Sequence, residues 1–127
     1  MKKFAAALIA GATLAAAGSA LADNACTRPQ APAPLDGKTA TLDQVLAKKN
    51  DVTAFMTASD TYQSCLIDAL AAQRAAAKAN KTEVPASAVK DANAQLDANQ
   101  TDKVKVGQAF NDAVHVFRAS HPAPAAH

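Results

Sequence analysis

The stretch from Leu42 to Ala79 contains neither glycine nor proline. These are the residues that most often interrupt a helix, and no segment of the stretch alternates polar and apolar residues as a strand would. Thr41 and Gln44 have the spacing of a capping box. The negative charge of Asp43 in the first turn interacts favourably with the positive end of the helix dipole. We therefore predict one long helix from Leu42 to about Ala79.

Two apolar stripes run along this predicted helix when successive residues are placed 100° apart. The first stripe contains Leu42, Val45, Val52, Met56, Leu66 and Leu70. The second contains Phe55, Ala58, Tyr62, Cys65 and Ala69. Two stripes favour two packing neighbours, and one broad face against a single core is the alternative.

A second helical stretch is predicted from about Ala86 to Ala119. The turn before it begins at Asn80, which suits a left-handed helix cap, and ends at Pro85, which suits a helix entry. Residues seven apart then form a seam typical of packing against one partner: Val89, Leu96, Lys103, Phe110 and Phe117. Asn99 and Lys103 are polar interruptions of this seam, so a helix break near Asn99 stays open as an alternative.

The first 22 residues have the layout of a secretory signal peptide. Lys2 and Lys3 precede an apolar run, and small residues precede a cleavage position after Ala22. Removing the two lysines leaves 11 basic residues against 11 acidic ones, which argues against a nucleic-acid-binding protein. No later apolar run approaches the roughly 20 residues that a membrane span needs. We expect export to the periplasm and no membrane insertion after cleavage.

Composition favours a thin helical core in the predicted mature chain. Alanine supplies 25 of the 105 residues from Asp23 onward, whereas Leu, Ile, Val and Phe together supply 18. Alanine has the highest helix propensity and allows close helix packing. The predicted helices are about 57 and 51 Å long and are joined by a short turn. The predicted fold is therefore all-α: a long antiparallel helical hairpin over residues 41–119, or a three-helix bundle if the chain breaks near Asn99.

Residues 23–40 are predicted to form an extended arm rich in proline, and residues 120–127 a disordered tail. The arm contains a turn signal at Asp36-Gly37. In polyproline geometry the 15 residues before Thr41 reach about 46 Å, and Cys65 lies about 36 Å along the first helix. Exported proteins with an even number of cysteines usually oxidise them. We predict a Cys26–Cys65 disulfide that lays the arm over the second stripe; two unpaired thiols are the alternative.

The order Cys26-x-Arg28-Pro29, Asp36-Gly37, and then Phe55, Tyr62 and Cys65 resembles small exported bacterial proteins of uncharacterised function. The resemblance implies a proline-rich arm followed by a long helix. The resemblance covers roughly residues 26–66, and it implies export and the disulfide without implying an activity.

No pattern in the sequence indicates catalysis or a bound cofactor. Nucleophile-elbow, phosphate-loop and zinc-protease motifs are absent, and the two cysteines do not form a C-x-x-C pair. His115, His121 and His127 cluster near the end of the chain, but their spacing of six does not match a short metal-ligand motif. We expect no enzyme and no metal, with His115 and His121 as the weak candidates for ligands.

The expected function is protein–protein interaction or self-association through an apolar helix face. Candidate contact residues lie on the second stripe and on the seam: Phe55, Tyr62, Val89, Leu96, Phe110 and Phe117. Two other functions stay open. One is chaperone-like binding of unfolded clients, and the other is carriage of a metal or small ligand by the C-terminal histidines.

Overall fold

A computed structural model of the chain describes residues 26–122. Within this range the chain forms two helices, α1 (Leu42–Ala79) and α2 (Ala86–Ser120), and no strand. The helices pack against each other as an antiparallel hairpin, which confirms the predicted all-α fold. The predicted signal peptide, residues 23–25 of the predicted arm and residues 123–127 of the predicted tail lie outside the described residues. Between residues 26 and 122, neither helix holds an apolar run that could cross a membrane.

The start of α1 is fixed by the predicted capping box. The Gln44 backbone N–H donates to Thr41 Oγ1 at 3.3 Å, and the Thr41 backbone N–H donates to Gln44 Oε1 at 2.8 Å. The end of α1 differs from the prediction, because Asn80 keeps φ at −88°. Lys81 instead takes the left-handed conformation, with φ of 54°. The turn thus closes one residue later, where the Thr82 backbone N–H donates to Ala77 O.

The alternative of a helix break near Asn99 is wrong, because α2 continues without interruption through this position. It ends at Ser120, one residue beyond the predicted end at Ala119. The polar residues of the seam, Asn99 and Lys103, have partners across the hairpin.

The core of α1 is one broad face and not two separate stripes. Its buried residues fall within about 100° of one another on the helix, as expected for a single face: Val45, Phe55, Ser59, Tyr62, Leu66 and Leu70. Met56, at one edge of this face, lies against Gly107 of α2. Cys65, at the other edge, is bonded to Cys26 of the arm. The face is broad because it packs against two elements at once.

The arm runs back along α1 from a turn at residues 37–39. Asp36 holds this turn, since its carbonyl accepts from the Ala40 N–H at 3.0 Å and its carboxylate accepts from the Lys38 N–H at 2.9 Å. Gly37 is buried against the last third of α2, and a Cβ atom there would lie 2.1 Å from Ala113 O. Only glycine permits this approach. The arm therefore contacts α2 as well as α1, a contact that the prediction of an arm over the second stripe did not include.

Candidate functional site

The disulfide that the sequence predicts is present. Cys26 and Cys65 are bonded, with their Cα atoms 5.7 Å apart and 39 positions apart in the sequence. It fixes the arm to the middle of α1, while the turn at Gly37 fixes the other end of the arm against α2. The arm is thereby held at both ends in the groove between the two helices.

The two aromatic residues proposed for interaction on α1 lie in the core. Phe55 and Tyr62 are each only 5% exposed. The hydroxyl of Tyr62 donates to Gln95 Oε1 of α2 at 2.8 Å, so its polar end is satisfied inside the hairpin. Neither side chain is presented to a partner in this conformation.

The four candidates on α2 are half-buried, and the structure does not gather them into one exposed patch: Val89, Leu96, Phe110 and Phe117. Phe110 lines a cavity beneath the arm. Phe117 stacks on the ring of His121, with centroids 4.4 Å apart. Much of the apolar surface of these four side chains is therefore buried by packing within the chain.

Asn99 and Lys103, which interrupt the predicted seam, tie α2 to α1. The side chain of Asn99 is 1% exposed, and its Nδ2 donates to the carbonyl of Ser59 at 3.1 Å. One turn further along α2, the ammonium of Lys103 forms an ion pair with Asp60. A buried asparagine at a seam position disfavours other registers, because sliding the helices would leave its amide without a partner. This layer of polar contacts sets the register of the hairpin.

The arm is joined to the same layer. Arg28 Nη2 lies 2.5 Å from Asp102 Oδ2, next to Lys103 on α2. Both side chains are partly exposed, at 46% and 33%, so this ion pair contributes at most about 1 kcal/mol to stability. It joins the arm to α2 next to the contacts that Asn99 and Lys103 make with α1.

Replacing Asn99 by Ala is expected to reduce the free energy of unfolding by about 2 kcal/mol. The change removes a buried hydrogen bond and leaves a small cavity between the helices. Urea unfolding followed by circular dichroism measures the loss. The neighbouring Gln100→Ala, at an exposed position of the same helix, is the matched control and should change stability by less than about 0.5 kcal/mol. Equal effects of the two substitutions would contradict a register-setting role for Asn99.

Within the described part of the chain, His115 and His121 are not brought together with other metal ligands. His121 Nδ1 lies 3.0 Å from the carbonyl of Phe117, and His115 is exposed on α2. Among residues 26–122 no group of three or more His, Cys, Asp or Glu side chains is placed to hold a metal ion. His127 lies outside this range.

A surface that the sequence patterns did not reveal runs along the outer side of α1, away from its buried face. Six exposed, uncharged residues fall within about 40° of one another on the helix, and we call them the outer stripe: Leu46, Thr53, Thr57, Ser64, Ala71 and Ala75. Leu46 is 51% exposed. Leu42 and Ile67, which flank the stripe, are 59% and 50% exposed.

The threonines make the outer stripe less polar than its composition suggests. The hydroxyl of Thr53 donates to the Lys49 carbonyl at 2.9 Å, and that of Thr57 donates to the Thr53 carbonyl at 3.1 Å. Thr61, beside the stripe, repeats the contact with the Thr57 carbonyl at 3.1 Å. Hydroxyls bonded back to the helix leave the methyl groups facing outward. The spacing of threonines four apart was the only sequence signal for this surface.

Comparison of the chain with protein families, with curated proteins and with solved structures finds no match.

Proposed function

We propose that the protein is exported to the periplasm and acts there without catalysis, by associating with a second copy of itself through the outer stripe of α1. Export is supported by the predicted signal peptide, cleaved after Ala22, and by the Cys26–Cys65 disulfide, since such bonds persist in oxidising compartments. The observation that supports self-association is the outer stripe, which lies along one continuous helix.

The chemistry of the stripe suits contact between two helices. It extends from Leu46 to Ala75, about 44 Å along the helix, with no charged residue among its members. Small side chains let two helices approach closely, and burying uncharged groups avoids the cost of desolvating charges. The exposed apolar side chains of Leu42 and Ile67 lie along one edge of the stripe. The exposed carboxylates of Asp60 and Asp68 border it on either side, at the rim of the proposed contact.

A second copy is the occupant that this surface fits best. A two-fold symmetric pairing places the same surface on both partners, so one uncharged stripe is complementary to itself. The opposite side of α1 is already covered by the arm and by α2. Two hairpins that meet through α1 would form a four-helix arrangement with the arms on the outside.

Light scattering coupled to size-exclusion chromatography tests this proposal on the mature, oxidised protein. We expect twice the monomer mass at high micromolar concentration. The double variant Leu46→Lys/Ala71→Lys places a charge at two points of the stripe and should give the monomer mass, because pairing would bury both charges. Val104→Lys/Gln108→Lys adds the same charge to exposed positions of α2 and should leave the dimer intact. A wild-type protein that is monomeric at every concentration would refute self-association.

A further inference from the structure

A cavity of about 190 Å³ lies under the middle of the arm, between both helices. One wall is formed by the arm through Pro32, Pro34 and Leu35. The opposite wall is formed by the helices, chiefly through Val52 of α1 and Phe110 of α2. The surface of these walls is mostly apolar, as in sites that bind small organic molecules.

Two lysines provide the charge at this cavity, one from each helix. Lys48 and Lys105 both line it, and none of the described residues that line it is acidic. Lys48 is held near the cavity, with its side chain 19% exposed and its Nζ 3.2 Å from Asp51 Oδ2. Asp51 is itself 56% exposed and does not line the cavity. Two ammonium groups beside an apolar chamber attract an anion that carries an apolar body.

The cavity is open to solvent on one side, so its volume sets how much of that body the arm and the helices can enclose. An apolar cavity of about 150 Å³ holds one benzene ring. A chamber of about 190 Å³ therefore has room for a single aromatic ring or a short alkyl chain, with a charged group at the rim. We propose that this cavity is a binding site for small amphipathic carboxylates, with the ring or chain under the arm and the carboxylate between Lys48 and Lys105.

This site is separate from the outer stripe and does not depend on self-association. The stripe lies on the side of α1 away from the buried face, whereas the cavity lies beneath the arm. Binding can therefore be measured in the monomeric Leu46→Lys/Ala71→Lys variant as well as in the wild type. Failure of one proposal leaves the other intact.

Phenylacetate is a suitable probe, and it should be compared with benzyl alcohol and benzylamine, which are neutral and cationic analogues of similar size. Chemical shifts of ¹⁵N-labelled oxidised protein give the affinity and the position of binding. We expect saturable binding of phenylacetate with Kd on the order of 1 mM, as is typical of a ligand this small. The shift changes should centre on Val52, Val106 and Phe110. The alcohol should bind roughly five-fold more weakly, and the amine more weakly still.

Variants of the two lysines decide the role of charge. Lys48→Gln/Lys105→Gln should weaken phenylacetate binding to the level of the alcohol. The matched control Lys81→Gln/Lys90→Gln removes the same charge from exposed positions that do not line the cavity, and should bind as the wild type does. Circular dichroism checks that each variant is folded. Absence of saturable binding, equal binding of the alcohol, or shift changes away from the cavity would each overturn the proposal.

Discussion

Replacing Cys26 and Cys65 together by Ser is expected to reduce the free energy of unfolding by about 4 kcal/mol. The disulfide closes a loop with a sequence separation of 39, and the chain-entropy treatment assigns that amount to a loop of this length. Domains of this size are typically stable by only about 5–15 kcal/mol, so the variant should be marginal. Urea unfolding of the oxidised wild type and the double variant, followed by circular dichroism, measures the difference.

Two controls separate the covalent bond from the other contacts of the arm. Wild-type protein reduced with dithiothreitol should match the double variant, because both lack the same bond. Arg28→Ala removes only the exposed ion pair with Asp102 and should cost less than about 1 kcal/mol. A double variant as stable as the oxidised wild type would show that the disulfide does not hold the arm against the hairpin.

Replacing Phe55 by Ala is expected to cost about 3–4 kcal/mol of unfolding free energy while leaving the oligomeric mass unchanged. Phe55 is 5% exposed, in the face of α1 that packs against the rest of the hairpin. Truncating a buried phenylalanine removes its transfer energy and leaves a cavity. Denaturant unfolding measures the loss of stability, and light scattering on a separate sample at high micromolar concentration measures the oligomeric mass.

Leu46→Ala is the matched control for this substitution. Leu46 is 51% exposed on the same helix, so its truncation should cost less than about 0.5 kcal/mol within the monomer. Unfolding of both variants is measured at a protein concentration low enough for the wild type to be monomeric, so that dissociation of a dimer does not enter the comparison. A Phe55→Ala variant that keeps its stability but no longer dimerises would indicate that Phe55 contributes to the dimer contact and not to the core.

The helix ends could be predicted because local chemistry sets most of them. The side chains of Thr41 and Gln44 each accept a hydrogen bond from the other residue's backbone N–H. The start of α1 can therefore be predicted from these two residues. At the other end of α1 the left-handed residue is Lys81 and not the predicted Asn80. Residue type favours asparagine for this conformation, but the hydrogen bond from the Thr82 N–H to Ala77 O closes the turn around Lys81.

The packing of the polar residues could not be predicted, because it depends on which residues lie opposite each other. Asn99 and Lys103 appear as interruptions in a one-dimensional seam. Their stabilising contacts become apparent only from the structure, in which Ser59 and Asp60 of α1 face them. The same limit applies to Gly37, whose close approach to Ala113 requires the arm to have been placed against α2.

The sequence also could not show which apolar residues are buried and which are available for interaction. Large apolar side chains such as Phe55 and Tyr62 suit a contact surface, but in a chain with so few of them they are needed for the core. The outer stripe consists instead of small residues and threonines. Its low polarity depends on hydroxyl groups bonded to the backbone, a feature that hydrophobicity patterns do not detect.

Nuclear Overhauser contacts between the arm and α2 in the mature protein measure most directly whether the arm lies in the groove between the helices. In the oxidised protein, protons of Pro34 and Leu35 should show contacts with the Val106 and Phe110 side chains that line the same cavity. Contacts should also join Gly37 to Ala113. An oxidised protein in which residues 28–37 show random-coil shifts and no contact with either helix would contradict this architecture.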